Sequence, residues 1–292
     1  MSVRILLLVA LGAPLAGLVA AVALGLPRSD AEPADLIRVP LQSEDLVPAL
    51  PGIAGPANPS LPLIVIDAGH GGRDPGAVGR DEAGRRIEEK AIVLDIALAL
   101  RDLLLEEGRF RVAMTRDDDT IVPLMQRPEI ARALEADLFL SIHADSAGTR
   151  EDVAGASIYT LSNEASSEAA ARFAARENAA AEVNGVAIEG QSEVVSAILV
   201  ELSQQRSQGG AIEFAQLIQR EGEGRIAFHP QVLRSAALAV LRAPDVPGVL
   251  FESGFVTNAS DRARLTTEEG RREYAQVLAR AVRVYFARRA EP

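Results

Sequence analysis

The chain contains no cysteine. That excludes a thiol nucleophile, a disulfide framework and a thiolate metal site, and leaves His, Asp and Glu as the side chains able to hold an ion. Histidine is itself scarce, with three in 292 residues, so the position of each one carries information. Positive charge is also short: 30 Lys and Arg against 41 Asp and Glu leave a formal net charge of −11. A phosphate backbone would meet a repulsive mean field, and nucleic acid is not an expected partner. Apolar side chains are plentiful, at 48% of the chain, enough for a substantial core.

Arg4 precedes an uncharged apolar run from Ile5 to Leu26. Residues 1–26 read as a membrane-targeting segment, either a signal peptide with Ala21-Val22-Ala23 as its cleavage site or a retained anchor long enough to span a bilayer. Either way the remainder is exported. Residues 27–62 are punctuated by proline from Pro27 to Pro62, a composition that cannot bury a helix face, and read as a linker.

A folded domain is expected over 63–290. Leu63 to Asp67 reads as a strand, followed by a Gly-rich loop from Gly69 to Gly84 and a helix carrying Ile92, Ile96, Leu100 and Leu104. Residues 109–115 and 137–145 read as strands, with a helix between Leu124 and Leu134. Ala156 to Thr160, 236–242 and 248–255 supply further strand signals, and Thr267 is the expected N-cap of a last helix. The alternation indicates an α/β sheet. Residues 162–222 interrupt it, being rich in Ala, Glu, Gln and Arg without a strand signal. They read as two or three helices, with Val195, Ile198, Leu199 and Leu202 forming one apolar stripe.

Functional groups of open α/β sheets gather beyond the carboxyl ends of the strands. His70, in IDAGHGG, and His143, in SIHAD, both lie there, and Glu252 closes the apolar run GVLFE. Two histidines and a carboxylate would hold Zn²⁺ with one position left open, where a water becomes acidic enough to attack. A strand-end histidine serves equally well as a hydrogen-bonded structural residue, so the spacing alone leaves both readings open. His229 precedes a proline in AFHPQV and reads as structural or surface. A Ser-His-Asp centre is excluded, because neither motif histidine has a neighbouring G-x-S-x-G elbow.

Taken together, IDAGHGGRDPGAVG at 66–79, IEEK at 87–90, SIHAD at 141–145 and FESGFVTN at 251–258 resemble the zinc-dependent N-acetylmuramoyl-L-alanine amidases of the type 3 family. The resemblance implies a single α/β domain with a twisted, mostly parallel or mixed sheet between helices. The implied substrate is peptidoglycan, cut between the lactyl group of N-acetylmuramic acid and L-alanine by a periplasmic enzyme with one Zn²⁺ per chain. It makes His70, Glu89 and His143 the metal ligands, and Glu252 the catalytic carboxylate instead of a ligand. Two departures stand out. Ala68 replaces the usual proline of the loop, and the stretch before Lys90 is longer, with Glu88 competing with Glu89 as ligand. Asp145 follows His143 by two positions, on the same side by strand alternation, and is either a resting-state metal contact or a loop-start acid. Asp67 and Asp74 are expected to fix the loop through local hydrogen bonds.

The resemblance extends to the cell-division amidases, in which one helix of an insert covers the active site with a glutamate on the zinc until an activator displaces it. Residues 162–222 take that part here. Glu177, in ARFAARENAAAEVNG at 171–185, is the candidate plug, with Glu168 and Glu164 behind it. A LytM-domain-type activator is the implied partner, and the apolar stripe either packs inside the insert or receives that partner. A monomer is expected, touching membrane only through an uncleaved N-terminal segment. The other readings are a zinc peptidase of related architecture and a non-catalytic cell-wall-binding protein.

Overall fold

Strand β1 (Leu63–Ala68) is buried on both faces. Ile64, Ile66 and Ala68 enter one core cluster, whereas Leu63 and Val65 enter the other. This is why its sequence is a continuous apolar run instead of an alternation: a strand inside a parallel sheet has no solvent face. The computed structural model describes residues 50–81, 83–183 and 197–290, with no side chain described between 180 and 205. All of these fall in one unit of the chain, Val47–Pro292. The expected targeting segment at 1–26, and Val195, Ile198, Leu199 and Leu202 as a stripe of side chains, lie outside what is described. Among the described residues no helix is long and apolar enough to cross a membrane.

After β1 come a short hairpin of β2 (Val78–Arg80) and β3 (Arg86–Glu88), helix α1 (Glu89–Glu106), β4 (Arg111–Met114), α2 (Gln126–Ala133), β5 (Leu138–Asp145) and β6 (Ala156–Leu161). Helices α3 (Glu168–Val183) and α4 (Ala197–Gly222) follow, then β7 (Phe228–Ala236), β8 (Gly248–Phe255), α5 (Ala259–Leu265) and α6 (Glu268–Ala290). The main sheet has the order β4-β1-β5-β8-β6-β7. Every pairing in it is parallel except β6 with β8. Helices α1, α4 and α6 pack on one face and α2 and α3 on the other. The result is a mixed, mostly parallel sheet between helices.

The expected elements fall close to their observed places. Thr267 caps α6, its hydroxyl accepting from the Gly270 N–H at 3.1 Å. One strand does not form where expected: 236–242 holds only the end of β7 and a single 3₁₀ turn at Ala239–Leu241. Leu238, Val240 and Leu241 are buried, and an apolar run marks burial without distinguishing a strand from a buried turn. The strand itself lies upstream, in FHPQVLRSA. Among the described residues it pairs only with β6, so Pro230 and its polar neighbours are tolerated on the open edge. The described end of the expected linker lies along the opposite edge. Ala54 exchanges backbone hydrogen bonds with Val112 at 2.8 and 2.9 Å, and Arg111 donates to the Leu61 and Pro59 carbonyls. This covers part of the exposed edge of β4.

Candidate metal centre

His70 sits two residues beyond β1 with φ of 61°, a left-handed conformation that a non-glycine residue keeps only when its surroundings impose it. Two buried arginines do so. Arg127 of α2 donates to the carbonyls of Ala68 at 2.9 Å and His70 at 2.8 Å. Arg116, just past β4, donates to Ala68 at 2.9 Å and Gly69 at 2.7 Å. Lys90 closes the loop further along, donating to the Gly72 carbonyl at 2.7 Å.

Beneath the loop Asp67 is fully buried. It accepts from the Thr115 and Ser141 hydroxyls at 2.6 Å each and from Arg127 at 2.9 Å. Burial pushes its carboxyl up, but Arg127 and the two hydroxyls together bring it below the usual carboxylate value. Asp67→Asn leaves Arg127 buried without its counter-charge and is expected to cost about 3–5 kcal/mol in urea denaturation. Because the folded-state value is lowered, the stabilisation is present above the ordinary carboxylate pKa and lost as pH falls through the lowered one. Melts of Asp67→Asn should lack that part of the acid limb.

Four side chains from different elements converge next to this loop. Glu89 opens α1, and His143 lies near the end of β5. Glu89 Oε1 is 3.1 Å from both His70 Nε2 and His143 Nδ1. The carboxylate is fixed from behind by the N–H groups of Ala77 at 2.7 Å and Ala144 at 2.8 Å. Asp74 Oδ2 holds His70 Nδ1 at 3.0 Å, leaving Nε2 facing the cluster. From α3, Glu177 Oε2 reaches 3.8 Å from His70 Nε2 and 3.5 Å from His143 Nδ1. Space is tight: a Cβ on Gly76, whose φ is 64°, would lie 2.5 Å from Glu89 Oε2 and 2.6 Å from His70 Cδ2.

Glu88 turns away and pairs with Arg86 at 2.6 Å, so the structure brings Glu89 to the histidines and not its neighbour. Asp145 pairs with Arg176 of α3 and not with the imidazoles. Glu168 is exposed and pairs with Arg172, and Glu164 is exposed too; neither is at the cluster. Glu252 stands opposite His143 in the register of β5 and β8. It is buried, and among the described residues neither of its carboxylate oxygens has a hydrogen-bond partner. Arg116, Arg127 and Arg176 are absent from the sequence-derived site. The only signal for Arg116 was a charged residue directly after an apolar strand.

The electrostatics are those of a crowded acidic pocket. Burial lowers the His70 pKa, but Glu89, Asp74 and Glu177 together lift it well above the ordinary histidine value. Burial raises Glu89, yet the two imidazoles hold it well below the usual carboxylate range. Glu252 is raised well above that range by burial, then by Asp145, Glu89 and Glu177. Asp145 is pushed up to about 7, mainly by burial.

A divalent ion fits this donor set. His70 Nε2 is buried and, among the described residues, has no partner in hydrogen-bonding geometry, and nitrogen and oxygen donors of this kind suit zinc. A tetrahedral ion with bonds of about 2.0 Å sets its donors about 3.3 Å apart. The donor separations measured from Glu89 and Glu177 to the two imidazoles run from 3.1 to 3.8 Å. The ligand atoms of His70, His143 and Glu177 lie within 4.8 Å of one another.

Fold and site thus define a class: an α/β protein whose buried cluster of two histidines and two carboxylates suits a divalent metal. The Amidase_3 family profile, N-acetylmuramoyl-L-alanine amidase, matches residues 64–284. N-acetylmuramoyl-L-alanine amidase AmiC of Escherichia coli O6:H1 is 33% identical over 237 residues, covering 81% of this chain and 55% of AmiC. AmiA of Escherichia coli K12 is 37% identical over 225 residues, covering 77% of this chain and 76% of AmiA. Among solved structures, AmiC2 of Nostoc punctiforme superposes with a TM-score of 0.52 at 28% identity, over 77% of this chain and 97% of that one. The chain belongs to the N-acetylmuramoyl-L-alanine amidase family of enzymes. It spans about half the length of AmiC and about three quarters of AmiA.

Proposed function

We propose that the chain cleaves the amide between N-acetylmuramic acid and L-alanine of peptidoglycan, using one Zn²⁺ held by His70, Glu89 and His143, and that α3 keeps it silent until a partner withdraws Glu177. The observation that carries this reading is the Glu177 carboxylate, seated 3.5 Å from His143 Nδ1 and 3.8 Å from His70 Nε2 with its side chain 12% exposed. Three protein donors leave an ion one position for chemistry, whereas a fourth closes it. Zn²⁺, when bound, supplies Lewis acidity toward a carbonyl oxygen and a water.

The chain's own groups do the rest. Asp74 orients His70, and the Ala77 and Ala144 N–H groups orient Glu89, as outer partners of ligands do. Glu252 takes the proton of the attacking water on a carboxylate oxygen and delivers it to the departing nitrogen of L-alanine. Burial and the neighbouring carboxylates raise its pKa, the direction that a group which must both accept and give a proton requires. Arg176, paired with Asp145, fastens α3 beside the cluster. By resemblance the partner is a LytM-domain-type activator working during cell division or wall remodelling. The apolar run from Ile5 to Leu26 accords with a periplasmic location. A wall-binding protein without turnover has no need of a buried, partnerless Glu252, and nothing in the site favours a peptidase.

With the Glu177→Ala chain, chelation should abolish release of soluble fragments from purified peptidoglycan, and Zn²⁺ should restore it. Asp74→Asn is expected to weaken zinc binding about 10- to 100-fold by competition with a chromophoric chelator. Hydrolysis that persists after complete removal of metal rules the proposal out.

A further inference from the structure

Beside α3 opens a cavity of about 450 Å³ lined by four arginines, Arg150, Arg172, Arg176 and Arg234, and by one acid, Asp145. Its size is that of a small-ligand site, roughly 300–1,000 Å³. Asp145 is already paired with Arg176, and Arg172 with Glu168. Among the described residues, Arg150 and Arg234 have no carboxylate in ion-pair contact.

Arg234 is 8% exposed, and its hydrogen-bond partners are neutral. Its Nε donates to the Gln231 carbonyl at 3.0 Å, and Nη1 donates to the Tyr159 hydroxyl at 2.9 Å. Nη2 lies 2.7 Å from His229 Nδ1, which also accepts from the Gln231 N–H at 3.0 Å. Burial, followed by the charge of Arg234, lowers the pKa of His229 and keeps that ring uncharged. A buried guanidinium with no counter-charge is costly unless an anion arrives to meet it. The cavity adjoins the metal centre: Asp145 is two residues past His143, and Phe255 is three past Glu252, on β8. Arg150 and Arg234 are not on α3, so they stay in place if that helix is withdrawn.

We infer that this cavity is a carboxylate-binding subsite in which Arg234 and Arg150 receive an acidic group of the stem peptide, on the L-alanine side of the bond to be cut. The stem peptide, not the muramoyl amide itself, is the part of that substrate with free carboxylates. The identity of the ligand rests on the amidase reading; the preference for an anion does not.

Titration calorimetry of the zinc-loaded full chain with L-alanyl-γ-D-glutamyl-L-lysine, and with the same peptide amidated at every carboxyl, tests it. The acid form should bind at least about tenfold more tightly. Arg150→Ala and Arg234→Gln should each reduce that ratio to within about twofold, whereas Arg234→Lys keeps part of it. If Arg234→Gln does not fold, the exposed Arg150→Ala decides. A wild type that binds neither peptide, or both alike, overturns the subsite, as does an unchanged ratio in the variants. Cleavage of a muramoyl peptide by the same chains carrying Glu177→Ala, in which the proposed plug is gone, separates the two ideas. An intact acid preference without cleavage contradicts the amidase reading alone, and cleavage without acid preference contradicts the subsite alone.

Discussion

Glu252→Gln is expected to leave the chain folded and zinc-loaded while cutting turnover about 10²- to 10⁴-fold, the usual worth of a positioned proton carrier. The substitution keeps the shape of the side chain and removes its ability to take a proton. Because among the described residues neither Glu252 oxygen has a hydrogen-bond partner, no neighbouring group loses one, and the variant should fold with a stability close to that of the wild type. For the metal-free chain, the sign of its pH dependence follows from the raised pKa. An unfolded chain releases this proton at the ordinary carboxylate value while the folded one keeps it longer, so wild-type stability declines as pH rises across that interval. Glu252→Gln should lack the decline. Zinc content by mass spectrometry, melting curves and turnover measured on one preparation separate the proton role from a structural one. A turnover within a few-fold of wild type removes Glu252 from the mechanism.

Glu177→Ala should raise the activity of the full chain about 10-fold without loss of zinc, since His70, Glu89 and His143 remain. The gain is partial because Arg176 still anchors α3 on Asp145. Adding Arg176→Ala should carry it to about 100-fold, the change from roughly one molecule in a hundred open to nearly all. Dye release from labelled peptidoglycan reads both. If activity falls and zinc is lost, Glu177 is a permanent ligand and α3 is not a plug.

The legibility of this chain in its sequence follows physical lines. β1, β5 and β8 stood out because interior parallel strands are continuously apolar, and their polar ends displayed His143 and Glu252. β7 was hidden because an edge strand with a proline resembles a loop, and the β2–β3 hairpin because three-residue strands carry no periodicity. Glu88 and Glu89 were not separable by pattern alone. What separates them is that Glu88 ends β3 while Glu89 begins α1, so their side chains leave the backbone in different directions. Arg116 and Arg127 were invisible because their role is to bond backbone carbonyls of the His70 loop. Arginines in sequence carry no mark of which distant carbonyl they will meet.

The most direct test of the central claim is the mass of the fragments released from purified peptidoglycan by the zinc-loaded Glu177→Ala chain, beside its metal-free counterpart. Free stem peptides with an L-alanine amino terminus, paired with glycan strands bearing intact lactyl groups and formed only with zinc, are the predicted products. Fragments cut within the peptide, or no fragments from a folded and zinc-loaded chain, would contradict it.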